Sequence, residues 1–406
     1  MNSPQKTEAR EPVAPINAAI VYHFFANYRK PILNKLSESE NVSYLFVADR
    51  VNRIMPGVKT WAPESSKHFR FARCIPLVSG FMLQMGLLKL AWDKHLDCII
   101  FLGDWKWPST WTGAVLAKLR GKRVLFWTHG WRTPDTGFKK WIRKLFYHRA
   151  DGMLLYGNRA RQIAIDQGFA ANSLYVVFNS LDHSTHVQLR KKYCQKSSAD
   201  IRSQIFDGDT KSPVVICSAR LLKRKRLSEL LSAIAKLRAK NHPVNVILIG
   251  DGEDKTNLES QAKELGINVH FEGSCFDEQR ISDLTMASNL TVSPGPIGLT
   301  AIQSLGFGVP VVTNDDMSTQ GPECEAIVPG VTGDLFENEN ADDLAEKIRA
   351  WTGSSQLDNG VRQQCMAVID RFYNPNFQEK VFYDAIRGVP AQTYLVKQAI
   401  QPATMD

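Results

Sequence analysis

The sequence predicts an α/β protein built from two doubly wound domains of similar size that face each other across a cleft. Short apolar runs typical of buried strands alternate with helix-period segments in two series, over residues 18–178 and 213–313. The length of 406 residues, with 44% hydrophobic and 22% charged residues, is typical of a globular protein of two or three domains. Ligands of such sheets bind beyond the carboxyl ends of the strands, so the cleft is the expected site.

The predicted elements follow in order along the chain. Apolar runs rich in β-branched and aromatic residues predict strands, and apolar residues three and four apart predict helices. In the first series we expect strands at 18–25, 42–48, 98–102, 123–127, 152–156 and 174–178, and helices ending at Leu36 and at 87–92, 112–119 and 138–149. In the second we expect strands at 213–218, 244–249, 269–272, 290–293 and 309–313, and helices at 227–239, 258–265, 281–287, 299–305, 342–351 and 376–386.

These elements divide the chain into segments. The polar start carries both signs of charge and lacks the basic start and apolar core of a signal peptide. We expect, in order, a disordered lead-in at 1–14, a first domain at 15–183, a connection at 184–211, a second domain at 212–370, a helix at 371–390 that returns towards the first domain, and a tail at 391–406.

Charge is distributed unevenly between the two halves. Residues 1–200 hold 30 basic and 14 acidic residues, whereas the remainder holds 20 and 27. A basic half suggests an anionic substrate, an anionic membrane surface or nucleic acid. No nucleic-acid motif is visible, so we expect no nucleic-acid partner. The segment 138–149 alternates aromatic and basic residues, and it either lies on an anionic membrane or packs with a solvated basic face.

Cysteine usage and hydropathy indicate the compartment. The seven cysteines are scattered and form no CxxC pair, so we expect neither disulfides nor a zinc site. No uncharged apolar run reaches the ~18 residues that a spanning helix needs. We therefore predict a cytoplasmic protein, with peripheral contact at the inner membrane face as an option that the basic half leaves open.

The segment 291–313 predicts a phosphate site. It reads as strand, glycine-rich turn, helix, glycine and strand, so the turn delivers a helix N-terminus to the carboxyl edge of the sheet. The free amides of Gly298, Leu299 and Thr300 would point out of it, with the positive end of the helix dipole behind them. The alternative is an ordinary βαβ unit whose helix end binds only water.

A second loop of the same domain supports the phosphate interpretation. The strand at 213–218 ends in a run with cations at Arg220, Lys223, Arg224, Lys225 and Arg226. Arg220 offers a planar fork for a diphosphate and Lys225 a point charge. The alternative is a solvated basic turn, but the run and the helix end arise on strands of one sheet, and their coincidence favours a phosphate site.

Other strand ends supply weaker candidates. In the second domain, small residues at Gly250, Gly252 and Cys275 would permit close approach by a flat base, although plain turn punctuation explains each tripeptide equally.

In the first domain, His129 directly follows the strand at 123–127, where it could contact a sugar hydroxyl or an acceptor phosphate. The alternative is a structural histidine. His23, Arg29 and Asp104 lie at similar strand ends and, together with Asn27 in the loop after the first strand, are candidates for acceptor contacts.

Together these residues resemble the GT-B fold glycosyltransferases, and within them the large retaining group usually called family 4. The resemblance runs from Ala18 to about Arg387 and is most specific over 214–336. It implies two Rossmann-like domains, with Arg220 and Lys225 gripping the donor diphosphate. The matching motifs are His129-Gly130, Asn179-Ser180-Leu181-Asp182, Arg220-Leu221 with Lys225, Ile249-Gly250-Asp251-Gly252, Phe271-x-Gly273, Gly298-Leu299, Ser304-Leu305, Gly308-x-Pro310-Val311-Val312 and Gly330-x-Thr332-Gly333-x-Leu335-Phe336.

The chain departs from the family at one pair of positions. The family usually carries two glutamates separated by seven residues, which would fall at Gly295 and Gln303. The resemblance implies that the first meets the donor sugar and phosphate and the second the ribose. Gln303 can still bond a ribose without charge, whereas Gly295 supplies no side chain. The departure puts the identity of the donor, and activity itself, in question.

The resemblance implies a retaining, metal-independent hexosyltransferase that needs no cofactor. It would move a sugar from a nucleotide diphosphate sugar to a glycan or lipid-linked acceptor, in polysaccharide or glycolipid biosynthesis. Arg220, Lys225 and the amides at 298–300 would stabilise the departing diphosphate, and His129 would position the sugar. Two alternatives remain: a non-catalytic scaffold that binds a nucleotide or a protein, and a sugar-nucleotide epimerase, which would need paired carboxylates that the cleft motifs do not offer.

Overall fold

The computed structural model describes residues 15–52, 54, 58–61, 68–193, 198–353 and 359–400. The predicted lead-in at 1–14 lies outside the described residues. Both predicted series of strands and helices lie within them. No helix in the described ranges has the length and apolar character needed to cross a bilayer.

The first domain is built around a parallel sheet. Seven strands follow the order β11-β10-β9-β8-β1-β3-β5, and two short antiparallel pairs, β2 with β4 and β6 with β7, lie outside it. Its strands and helices are β1 (Ile16–Val21), β2 (Phe25–Ala26), α1 (Lys30–Ser37), β3 (Val42–Ala48), β4 (Thr60–Trp61), β5 (Phe69–Phe71), β6 (Cys74–Pro76), β7 (Met82–Gln84), α2 (Leu87–Trp92), β8 (Cys98–Leu102), α3 (Pro108–Leu119), β9 (Arg123–Thr128), α4 (Gly137–Tyr147), β10 (Gly152–Leu155), α5 (Asn158–Asp166) and β11 (Leu174–Val176).

The second domain repeats the design. A six-stranded parallel sheet has the order β14-β13-β12-β15-β16-β17. From the connection onward the elements are α6 (His183–Tyr193), α7 (Ser198–Ile205), β12 (Val214–Ser218), α8 (Leu227–Ala239), β13 (Asn245–Ile249), α9 (Lys255–Leu265), β14 (Val269–Gly273), α10 (Glu278–Met286), β15 (Leu290–Ser293), α11 (Leu299–Gly306), β16 (Val311–Asn314), β17 (Gly333–Phe336), α12 (Ala341–Thr352), α13 (Asn359–Phe372) and α14 (Pro375–Arg387).

Strands such as β9 are apolar without alternation because helices cover both faces of each sheet. Val124 and Phe126 pack into one hydrophobic cluster, whereas Leu125 and Trp127 pack into the cluster on the opposite face. A strand buried on both sides needs apolar residues at every position, which is the pattern that identified these strands in the sequence.

Strand order reverses once in each sheet. In the first sheet β1 lies between β3 and β8, and in the second β12 lies between β13 and β15. At the reversal, β1 is adjacent to β8 in the first sheet and β12 to β15 in the second. The loops that follow the two strands of each pair therefore run to opposite faces of the sheet. This divergence opens a crevice at the carboxyl ends of the strands, which is the usual ligand position in doubly wound sheets.

The last helix, α14, returns to the first domain as predicted. Pro375 at its first turn and the Asn374 side chain, which accepts the Phe377 amide at 2.9 Å, fix its start. Val381 and Phe382 are buried in a cluster of the first sheet. The chain therefore returns from the second domain to the first at α14.

One predicted element needs correction. The strand expected at 18–25 ends at Val21, because Tyr22 and His23 leave the sheet; their aromatic character resembles that of strand residues. The connection at 184–211, for which partial helix formation was an open option, contains helix α7 and all but the first residue of α6. Helix α13 was not predicted, although Cys365, Val368 and Ile369 recur at helical spacing and are buried.

Candidate functional site

The crevice of the second sheet opens into a cavity between the domains. The cavity has a volume of about 650 Å³, a size suited to a nucleotide sugar. Lys225, Gly295 and Gly298 line it from the second domain, and His129 and Arg132 line it from the first. We call it the donor cavity.

Lys225 ends a short 3₁₀ turn after β12 and reaches across to the loop after β15. Its Nζ donates to the carbonyl oxygen of Pro296 at 2.5 Å, and the Gly295 amide donates to the Lys225 carbonyl at 3.0 Å. Burial lowers the pKa of Lys225, with a further contribution from Arg224. No carboxylate in the described ranges pairs with its ammonium group. The basic run and the helix end therefore meet, and a desolvated cation is left for an anionic ligand.

The start of α11 supplies unsatisfied donors beside this lysine. Gly298 caps the helix without a side-chain hydrogen bond. Among the residues that the structure describes, no acceptor takes the backbone amides of Gly298, Leu299 and Thr300. Orphan amides at a helix N-terminus, next to a cation, form a favourable environment for phosphate.

Gly295 explains the departure from the family pattern. A Cβ at this position would lie 2.6 Å from the Arg224 carbonyl oxygen and 2.8 Å from Lys225 Cα. Real Cβ atoms do not approach backbone this closely, so no side chain fits unless the turn moves. The position that carries a glutamate in the resembling family is occupied here by the backbone of the Lys225 turn.

The remaining predicted residues of α11 face a different part of the cleft. Leu299, Thr300 and Gln303 line a second cavity of about 360 Å³. The Thr300 hydroxyl donates to the Ser218 carbonyl at 3.1 Å, which ties the helix to the end of β12. Asn27, predicted on the acceptor side, lines this same cavity, so the structure places it opposite the donor helix.

Four predicted donor residues line neither cavity. Arg220 is exposed. Gly250 and Gly252 do permit a close approach, but the approaching group is protein: their Cβ positions lie 1.9 Å from the Ala219 carbonyl oxygen and 2.3 Å from that of Leu221. Cys275 is half-buried in the loop after β14. Glycine is therefore required at both positions by close packing against the loop after β12, and the binding of a base there stays a prediction.

His129 lies where two cavities meet. It lines the donor cavity and also a cavity of about 630 Å³ in the first domain, which Arg29 and Asp104 line as well. Its ring lies 4.5 Å from the Tyr156 ring. The protein surrounding the ring lowers the pKa of His129 well below its usual range, and Arg29 and Arg132 add to the shift. The imidazole is therefore neutral at neutral pH and suited to hydrogen bonding rather than to proton donation.

Glu323 was missed by sequence reasoning. It lies in a short 3₁₀ helix after β16, is only 6% exposed and lines the donor cavity. Its Oε1 accepts from the Asn179 side chain at 2.5 Å across the domain boundary. Burial raises the pKa of Glu323. It is the buried carboxyl group of this cavity, and its only sequence signal is that an acid follows a strand end.

Glu325, two residues further, joins the domains. Its carboxylate accepts the backbone amides of Asn158 at 2.6 Å and Arg159 at 3.0 Å, at the N-terminus of α5. Burial raises the pKa of Glu325 to about 7. A second-domain side chain thus caps a first-domain helix, which holds the cleft at a defined width.

The described residues contain no group of three or more His, Cys, Asp or Glu side chains that could hold a metal ion. The charged residues that line the donor cavity are the cations Arg132, Arg224, Lys225 and Arg226 and the acids Asp316, Glu323 and Glu339.

Two facing parallel α/β domains define the class of fold, which is GT-B. A crystal structure of HepE from Anabaena, in complex with UDP, covers 91% of this chain and 98% of that chain with a TM-score of 0.63. The sequence identity is 17%, so this likeness shows the fold alone. The predicted fold class is confirmed.

A family model matches the second domain. Residues 200–364 are similar to the glycosyl transferases group 1, which confirms the resemblance drawn from the motifs of this segment.

Two curated relatives match a segment of similar size. One is a GDP-mannose-dependent monoacylated alpha-(1-6)-phosphatidylinositol monomannoside mannosyltransferase of Corynebacterium glutamicum, 25% identical over 170 residues. The other is the lipopolysaccharide core biosynthesis glycosyltransferase LpsE of Rhizobium meliloti, 30% identical over 154 residues. The matches span 39% and 37% of this chain and 42% and 43% of the relatives, so less than half of each relative is covered.

Proposed function

We propose that this chain is a glycosyltransferase that moves a sugar from a nucleotide diphosphate sugar to a glycan or lipid-linked acceptor, with retention at the anomeric carbon. The observation that carries the proposal is the meeting of Lys225 with the unsatisfied amides at the start of α11. A diphosphate at this point would supply the anion that the buried lysine lacks.

The proposed mechanism is electrostatic. Negative charge would grow on the diphosphate as its bond to the sugar breaks, and Lys225 and the Gly298 amide, which line the donor cavity, would stabilise that charge. His129, neutral and at the junction of the two cavities, would hydrogen-bond a hydroxyl of the sugar in transit. Glu323, across the same cavity, would accept a second hydroxyl. We propose that no metal or cofactor takes part.

The names of the relatives support a glycolipid or lipopolysaccharide acceptor. One relative is named for a phosphatidylinositol mannoside and the other for the lipopolysaccharide core. The first-domain cavity, which His129 connects to the donor cavity, would hold the acceptor. Retention follows from the resemblance to family 4, and the configuration of an enzymatic product by NMR would test it.

Calorimetric titration with UDP, GDP and ADP, followed by transfer and hydrolysis assays on a panel of nucleotide sugars, tests the proposal. We expect one nucleotide diphosphate to bind and its sugar nucleotide to be turned over. Absence of binding to all of them would remove the basis of the donor site. Binding without turnover on any donor, with lipid-linked and glycan acceptors present, would favour the second candidate.

That second candidate is a non-catalytic GT-B scaffold that binds a nucleotide or a partner protein. It is favoured by the two positions where the family carries glutamates, because Gly295 excludes any side chain and Gln303 is uncharged. The buried carboxyl group of Glu323 in the donor cavity favours a catalytic function instead.

We also propose peripheral contact of a cytoplasmic chain with an anionic membrane through α4. Phe138 is 73% exposed and Trp141 59% exposed, and their rings stack 5.7 Å apart on a helix rich in basic residues. Replacing both residues by serine should reduce co-sedimentation with phosphatidylglycerol vesicles several-fold. Leu119→Ser, which removes a 79% exposed apolar side chain elsewhere, is the control. Equal sedimentation of all three proteins would refute the contact.

A further inference from the structure

The first-domain cavity contains a buried positive charge, that of Arg29, which no described carboxylate contacts, although this charge partly offsets the rise that burial causes in the pKa of Glu323. Arg29 is 6% exposed, and no acidic side chain of the described ranges lies within ion-pair distance of it. Its Nη2 donates to the hydroxyl groups of Tyr156 at 2.6 Å and Tyr22 at 3.3 Å. Its guanidinium carbon lies 4.6 Å from the centroid of the Trp127 ring. Aromatic rings thus hold this cation, but they do not neutralise it.

Most of the hydrogen-bonding capacity of Arg29 is unused. A guanidinium has five N–H donors. Nη2 donates both of the hydrogen bonds described above, and in the part of the chain that the structure describes Nε and Nη1 have no hydrogen-bond partner. Arg29 lines the cavity of about 630 Å³, and a ligand there can reach it. A planar donor edge without a partner matches the two oxygens of a carboxylate or phosphate.

The other charged residues that line the cavity are also mainly basic. Lys106 has no carboxylate partner among the described residues, and its Nζ lies 6.0 Å from the centroid of the Trp105 ring. Lys139 and Arg143 share one acid outside the lining, Asp135, at 2.9 and 2.6 Å. Among its described residues, the lining contains a single acid, Asp104, against the four cations Arg29, Lys106, Lys139 and Arg143.

The remaining walls suit a sugar ring. Trp105, Trp107 and Tyr28 line the cavity and offer flat apolar faces, on which the C–H faces of a sugar can pack. His23 lines it too, and its buried Nδ1 has no hydrogen-bond partner. The cavity therefore combines aromatic faces, unused polar atoms and an unbalanced cation, and it lies at the crevice of the first sheet between the ends of β1 and β8.

We propose that this cavity binds an acceptor sugar that carries an oxyanion, with Arg29 and Lys106 as the groups that select it over a neutral sugar. The inference rests on the proposed function and specifies the acceptor of that reaction. The shared chemistry is an oxyanion on a hexose, supplied either by a phosphate ester or by a uronic acid carboxylate. Because His129 lines both cavities, a sugar bound here lies next to the proposed donor.

Calorimetric titration of the full chain with glucose 6-phosphate, glucuronate and glucose tests the inference, at constant ionic strength and with UDP saturating so that donor phosphates are excluded. We expect at least one of the two anions to bind roughly tenfold or more tightly than glucose, as a charged hydrogen bond predicts. The anion that shows the preference identifies the source of the oxyanion. Equal affinity for the three probes would overturn the inference.

Substitutions test which residues cause the preference for a sugar anion over glucose. Arg29→Gln should reduce it to within about twofold, since a single charged hydrogen bond accounts for most of it. Arg120→Gln is the matched control, because Arg120 also lies 4.6 Å from a tryptophan ring, that of Trp92, but on the outer surface. If Arg29→Gln does not fold, Lys106→Gln should still weaken anion binding measurably. A folded Arg29→Gln protein that keeps the full preference would refute the assignment.

The same samples separate this inference from the proposed function. If UDP does not bind while the sugar anions do, the donor site fails and the cavity remains an anion site. If UDP binds and neutral acceptors alone are glycosylated, the donor site stands and the selection by Arg29 fails. Lys225→Met, which alters the donor cavity only, should leave the anion preference unchanged.

Discussion

Lys225→Met is expected to lower kcat/KM for sugar transfer by roughly 10²–10³-fold, the range seen when one preorganised donor to a developing negative charge is removed. Methionine keeps the apolar stem and removes only the ammonium group. The ammonium is desolvated and contacts a carbonyl rather than a carboxylate, so its loss leaves no buried charge unpaired. Steady-state kinetics, together with the affinity for the nucleotide diphosphate, measure the effect.

Lys223→Met supplies the matched control. Lys223 belongs to the same 3₁₀ turn but is exposed and does not line the donor cavity. Its replacement should change the rate by less than about threefold, as expected for a solvated surface charge. Arg220→Ala adds a second comparison, because Arg220 was predicted to share the diphosphate but lies exposed outside the cavity. Full turnover by the Lys225 variant would show that the diphosphate is held elsewhere.

The meeting of the cationic run with the helix end could be predicted because chemistry and topology coincide. The cationic run and the helix end each follow a strand, and the carboxyl ends of parallel strands meet at one edge. A sequence supplies both facts without tertiary detail. The structure adds that β12 and β15 are neighbours at the reversal of strand order, which brings Lys225 to Pro296.

Three features depend on contacts that no local pattern encodes. Glu323 reaches the donor cavity through a hydrogen bond to Asn179, 144 residues away in the chain. Gly250 was predicted to admit a base, and the structure adds that the backbone of Ala219 lies where a side chain at this position would be. Arg29 was expected at the acceptor side, yet its lack of a counter-ion follows only from the aromatic packing around it. Each depends on packing between segments distant in sequence, which spacing and composition do not specify.

Gly295→Ala is expected to lower the thermal midpoint by several degrees, because its Cβ would meet the Arg224 carbonyl oxygen at 2.6 Å. Overpacking of a rigid site costs typically 1–3 kcal/mol, and each kcal/mol shifts the midpoint of a domain of this size by roughly 2–4 °C. The obstructing atoms belong to the backbone of the Lys225 turn, so relief of the clash must also move the lysine. Affinity for the nucleotide diphosphate should therefore fall together with stability, and Gly295→Glu should be more damaging still.

Gly298→Ala separates the clash from a general intolerance of this loop. A Cβ at Gly298 has no atom within 4 Å, so this variant should keep a thermal midpoint close to that of the parent chain. Gln303→Glu restores the other carboxylate of the family pattern in an open cavity, and it should also fold normally. If instead the Gly295→Glu and Gln303→Glu double variant were stable and transferred sugar faster than the parent chain, Gly295 would represent a simple loss of a functional side chain. We expect the opposite, because the backbone of the Lys225 turn occupies the space that a side chain at position 295 would need. If the proposed transfer uses a carboxyl group, Glu323 is the buried one that lines the donor cavity.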